Sequence, residues 1–163
     1  SLAACGTNNR IEKSNETTGN VDSPTLSIRY FYSSEGTYDK IEISNDNLIY
    51  TYFEDSENKC AQWIKSAPCW TEADLKSKVS NLSENDMDNL TTAIEQTEFM
   101  QMDTVYGGAS PGQRYYTHGI SVNLDAVQQE VIYQSFPGAE PMPAGMRTLI
   151  TVLNNLVKEK AGK

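Results

Sequence analysis

With 163 residues, the chain is long enough for one domain with its own core and short for two. Hydrophobic residues make up 38% and charged residues 21%, an ordinary globular mix. The formal charge of −9 argues against binding to nucleic acid and against adhesion to an anionic lipid face by charge alone, and no apolar run approaches the ~20 residues that cross a bilayer.

The chain opens "SLAACGTNN". Leu2-Ala3-Ala4-Cys5 resembles a lipobox, the end of a bacterial lipoprotein signal peptide. Small residues let an extended chain enter a narrow protease groove, Leu2 fills an apolar pocket, and Cys5 supplies the thiol for diacylglyceryl transfer. The basic and apolar regions of such a signal do not precede it, so residues 1–4 read as its trimmed remnant. The resemblance implies lipid on Cys5 and a place in the bacterial cell envelope. Gly6, rather than an aspartate, follows the cysteine, which favours the outer membrane if there is one. Two or three acyl chains hold durably where one does not.

From Gly6 to Pro24 there are two large aliphatic residues, Ile11 and Val21, and no periodicity. Residues 5–24 therefore read as the lipidated cysteine and a disordered tether, with a reach of about 25 Å root-mean-square. The remainder, 25–163, reads as a single domain.

"TLSIRYFY" alternates, with Leu26, Ile28, Tyr30 and Tyr32 on one side. "YDKIEIS" and "LIYTYF" continue the pattern across Gly36 and Asn45-Asp46-Asn47, which completes a three-strand meander. "CAQWIKSAPC" comes next. With Cys5 assigned to lipid, Cys60 and Cys69 form the remaining pair, within disulfide reach if Ser66-Ala67-Pro68 turns a hairpin. Trp63 and Trp70 flank the pair and are expected to pack over it. The spacing is too wide for a CxxC redox motif, and a zinc site would need more than one histidine.

Thr71-Glu72-Ala73-Asp74 and Ser83-Glu84-Asn85-Asp86 both carry the helix-capping pattern. The second precedes an amphipathic run with Met87, Leu90, Ala93 and Ile94 on one face. The first leads into Leu75 and Val79 and is open to a helix, a loop or a strand. "DTVYGGASPGQR" is a glycine-rich connection. Strands return in "YYTHGISVNL" and "EVIYQSF", a three-proline loop comes after them, and a last helix from about Met146 to Lys160 carries Leu149, Leu153, Leu156 and Val157 on one side. The order predicts an α+β fold: an antiparallel sheet of about five to six strands with two main helices on one face, a two-layer sandwich.

From about Leu82 onward, the sequence of elements is similar to that of small bacterial domains: a helix opening "LSENDMDNL", then "EFMQM", a glycine-rich loop, a hairpin, a proline loop and a terminal helix. Two groups share it, uncharacterised lipoprotein domains and the emfourin-type inhibitors of thermolysin-like metalloproteases. The resemblance covers about half the chain and carries no residue across. The N-terminal meander and the Cys60–Cys69 segment depart from the inhibitor pattern.

Catalytic constellations are not evident. His118 lies in an alternating strand, and no serine sits in a nucleophile elbow. Glu54, Asp55 and Glu57 fall in a loop, and Glu84, Asp86 and Asp88 on a capped helix start, where solvation or the helix dipole accounts for them. No metal or cofactor is expected. The candidate contact region is the glycine-rich loop with Tyr106, Gly107, Gly108, Tyr115 and Tyr116, since loop aromatics carry interface energy. The reading is a lipid-anchored, non-enzymatic binding or structural module with an envelope protein partner. A metalloprotease inhibitor is the alternative, and a hydrolase using carboxylates or His118 a third.

Overall fold

The computed structural model describes residues 24–163. Cys5 and nearly all of the expected tether lie outside the described residues. Strands β1 (Leu26–Ser33), β2 (Tyr38–Ser44) and β3 (Asn47–Phe53) form the expected meander. A 21-residue irregular connection then leads to β4 (Leu75–Asn81), and helix α1 (Glu84–Gln96) comes after it. Next come β5 (Val105–Tyr106), β6 (Tyr116–Leu124), β7 (Val127–Ser135) and the terminal helix α2 (Ala144–Ala161).

The fold is α+β, as expected, but the sheet has seven strands rather than five or six, in the order β4-β3-β2-β1-β6-β7-β5. It is also mixed, because β5 runs parallel to β7 while every other neighbouring pair is antiparallel. Two features explain the difference. Residues after Thr71 do not continue as a helix: the capping pattern closes a single 3-10 turn, Glu72–Asp74, and the chain then pairs with β3. Near the start of the glycine-rich connection, Val105 and Tyr106 pair with β7.

Alternation decides which face is buried. The register stacks Ile28 against Ile43 and Val122, Ile43 against Leu48, and Tyr30 against Ile41 and Ile120. All are buried on one face, together with Leu90 and Ile94 of α1 and Met146, Leu149, Leu153 and Val157 of α2. Both helices thus cover the same side, and the period-2 and period-3.6 patterns meet in one core. Ser83 caps α1 by accepting a hydrogen bond from the Asp86 amide, and the Asp86 carboxylate accepts from the Ser83 amide. Gly145, in the first turn of α2, lies against the end of α1, where a Cβ would come within 2.7 Å of the Thr97 carbonyl oxygen.

Candidate functional site

The sheet has two poles. The chain enters β1 at Leu26, and at the other end, beyond Ser33, three segments converge. They are the β1–β2 turn, the long connection between β3 and β4, and the end of the glycine-rich loop.

The connection is organised by local polar chemistry rather than by strand pairing. The Asp55 carboxylate accepts hydrogen bonds from the Lys59 and Cys60 amides, at 2.8 and 2.9 Å, and folds the chain back before Cys60. Cys60 and Cys69 are joined by a disulfide with their Cα atoms 5.5 Å apart. The expected hairpin is absent, because no ladder forms between the two cysteines and the ring is an open loop. The buried Cys69 donates its amide to the Glu35 carbonyl oxygen at 2.8 Å, which fastens the ring to the β1–β2 turn.

The two tryptophans take different partners. Trp70 turns edge-on to Tyr38, 4.9 Å between ring centroids, and donates its indole N–H to the Ser34 carbonyl oxygen at 3.1 Å. Trp63 stays in the ring and donates its indole N–H to the Ala67 carbonyl oxygen at 2.6 Å. Residues 61–68 are all exposed. Ile64 has 96% of its surface accessible and Trp63 37%, while the Lys65 ammonium lies 5.3 Å from the Trp63 ring centre. The ring thus presents Ile64 and part of Trp63 as apolar surface that a partner could remove from water.

Arg114 joins this ring to the glycine-rich loop. Its guanidinium forms an ion pair with Glu35 and reaches the Ser66 carbonyl oxygen at 3.4 Å, and the Tyr116 hydroxyl donates to the same Glu35 carboxylate. Glu35, Ser66 and Arg114, together with Trp63, Ile64 and Lys65, line an open depression of about 400 Å³.

The residues picked from the sequence therefore divide. Tyr116 belongs to this pole, and Tyr115 is exposed beside Arg114. Tyr106 pairs with Tyr133 in the edge strand and accepts a hydrogen bond from the Asp103 amide. Gly107 has a φ of +109°, and a Cβ there would collide with the Gln134 carbonyl. Gly108 also has a positive φ and lies against the Glu140 side chain. These three shape the turn and are not among the residues that line the depression. Sequence reasoning missed Glu35, Ile64, Lys65 and Arg114. One signal was present, since a ring closed over a Ser-Ala-Pro turn has to show its apex to solvent.

His118 lies in a stack of aromatic rings, with Tyr32 4.1 Å away and nearly parallel and Tyr133 at 6.0 Å. Its Nδ1 is 3.3 Å from the Tyr30 hydroxyl. Burial pushes its pKa below the ordinary histidine value and that of Tyr30 above the ordinary tyrosine value. The candidate carboxylates have local duties. Glu54 pairs with Lys76, Asp55 shapes its turn, and Asp86 is held below the usual carboxylate range by the Ser83 amide and then by Lys160. Among the described residues, no group of three or more His, Cys, Asp or Glu is placed to hold a metal ion, and no helix is long and apolar enough to cross a membrane. A scan of protein-family models finds no match to this chain, and a search of curated proteins finds none either.

Proposed function

We propose that this chain is a lipid-anchored protein of the bacterial cell envelope whose domain is a non-enzymatic binding module, and that it meets a protein partner through the Cys60–Cys69 ring and the adjoining Arg114–Tyr116 segment. The observation that carries the binding reading is the full exposure of Ile64 in a ring fastened by a disulfide and by hydrogen bonds. Pre-organisation of this kind lowers the ordering cost of association, and an aromatic and an aliphatic side chain beside cations make a suitable anchor. The anchoring reading rests on the lipobox-like Leu2-Ala3-Ala4-Cys5, with the outer membrane favoured by Gly6.

Two measurements test these parts separately. Cys5→Ala in the full precursor should abolish metabolic palmitate labelling, and labelling that persists would remove the anchor. A photo-crosslinking residue placed at Ile64 in living cells should give an adduct of defined mass that Trp63→Ala weakens. The same residue at Gln128, exposed at the other pole, should give none. If Ile64 yields no adduct, or Gln128 yields the same one, the ring is not the contact.

A protease inhibitor is the second reading, favoured because an exposed, fastened ring can enter a protease cleft. The thermolysin-like form of that reading is removed if the purified chain at stoichiometric excess leaves such an enzyme fully active.

A further inference from the structure

We infer that the Cys60–Cys69 ring is a substrate-like inhibitory loop for a serine protease whose specificity pocket carries a carboxylate, with Lys65 as the side chain that enters the pocket and Lys65–Ser66 as the bond presented to the enzyme. The inference deepens the binding-module reading and rests on it, since it names the partner of the same ring.

Four observations point this way. First, the segment is accessible: every residue from 61 to 68 is exposed, so six or more consecutive positions can lie in a cleft without unfolding the domain. Second, Lys65 is the single basic residue within the ring, and it is next to the fully exposed Ile64. A long aliphatic stem with a terminal ammonium suits a deep pocket with an acidic floor. Third, the two sides of the Lys65–Ser66 bond are tied together. The Trp63 indole donates across it to the Ala67 carbonyl oxygen, and Arg114 reaches from the scaffold to the Ser66 carbonyl oxygen. Pro68 fixes its own φ immediately before Cys69. Fourth, the disulfide encloses the bond, so cutting it does not release either side.

These restraints decide between a substrate and an inhibitor. The enzyme's serine oxygen adds to the Lys65 carbonyl carbon, and the C–N bond to Ser66 breaks. The leaving nitrogen takes a proton from the enzyme's general acid and becomes a free amine. In an ordinary substrate that amine diffuses away and water hydrolyses the acyl ester. Here the disulfide, the Trp63–Ala67 bond and the Arg114–Ser66 contact keep the amine beside the acyl carbon. It attacks the ester, restores the peptide bond and returns the proton and the serine to the enzyme. No further reactant is needed. Resealing is intramolecular and so carries a high effective concentration, whereas hydrolysis has to wait for water.

The probe is trypsin, which has the required acidic pocket. The folded chain should inhibit it stoichiometrically in an assay with a small chromogenic substrate. Mass spectrometry should show slow conversion to a form heavier by one water and still disulfide-linked, cut at Lys65–Ser66. Lys65→Ala should weaken inhibition by about 100-fold or more, as expected for loss of an anchoring side chain. Lys65→Leu should transfer inhibition to chymotrypsin. Arg114→Gln and the Cys60→Ser/Cys69→Ser pair should turn the ring into a rapidly cut substrate, while circular dichroism reports on the rest of the fold. Trypsin left uninhibited, or rapid complete cleavage at Lys65 with the enzyme recovered, overturns the inference. If the Ile64 crosslink in cells persists in either case, only the protease assignment falls. If that crosslink is absent as well, the binding reading falls with it.

Discussion

At the scale of single residues, His118 carries a definite consequence for stability. Its ring is half-buried against Tyr32, and burial disfavours the imidazolium, so its pKa in the fold lies below that of an unfolded histidine. Between those two values the unfolded chain binds more protons than the folded one, and stability therefore rises with pH. The contribution is complete above the ordinary histidine pKa of about 6.5 and is lost as the pH falls from there through the folded value. The chain has one histidine, so no second imidazole blurs the window. Urea unfolding should show a midpoint that drops between about pH 7.5 and about pH 5.5. His118→Phe, which keeps an aromatic ring in the stack, should flatten that slope. A slope unchanged in the variant would assign it to another group.

At the scale of elements, helix α1 ends on a strained residue. Thr97 closes the helix by donating its amide to the Ala93 carbonyl oxygen, and the exposed Glu98 then takes a φ of +53° before the buried Phe99. Left-handed backbone at the position after a helix cap favours glycine. Glu98→Gly should stabilise the domain by about 0.5–1 kcal/mol, after allowing for the greater freedom of glycine in the unfolded chain. Thermal melting should rise by roughly 1–4 °C. Glu98→Ala, which retains a Cβ, is the control, and an equal gain there would locate the effect in the lost charge instead. Local pattern reveals some elements and leaves others hidden. The alternating Leu26, Ile28 and Tyr30, the Ser83 cap and the apolar stripe of α2 are local signals, and each can be read without knowing the partner. β4 is different, because the cap at Thr71 is complete in itself, with Asp74 held to a pKa of about 2 first by Lys59 and then by Thr71. The path of the chain beyond that cap is decided by the free edge of β3, which offers Leu75–Asn81 a full ladder. β5 is two residues long and exists because β7 lies beside it. The pole around the ring is half legible: the cysteine spacing announces a ring, but Arg114 and Glu35 are 79 residues apart and only the sheet order brings them together.

Across the domain as a whole, the two ends of β1 lie at opposite poles. The described chain begins at Pro24, beside the Leu26 end of the strand, and the Cys60–Cys69 ring is fastened to Glu35 just past the Ser33 end. Eight residues of strand separate the two poles by about 25 Å. A protein held to lipid through Cys5 would be attached at its entry pole, which leaves the ring at the unattached end, free to meet soluble or surface-bound partners. The charge of −9 acts in the same direction on an anionic membrane, because it opposes close approach of the domain. The alternative is that Trp63, Ile64 and Lys65 dip into the interface, where tryptophan and lysine are at home. Trp63 can distinguish the two. Trp70→Phe removes the second indole and leaves Trp63 as the only fluorophore of its kind. On lipid vesicles, the acylated protein should show the same emission maximum and the same iodide quenching as the unanchored domain in buffer. A blue shift with loss of quenching would place the ring in lipid. That result would exclude a protease cleft as the resting environment of Lys65 and turn the anchor and the ring into two contacts with one membrane.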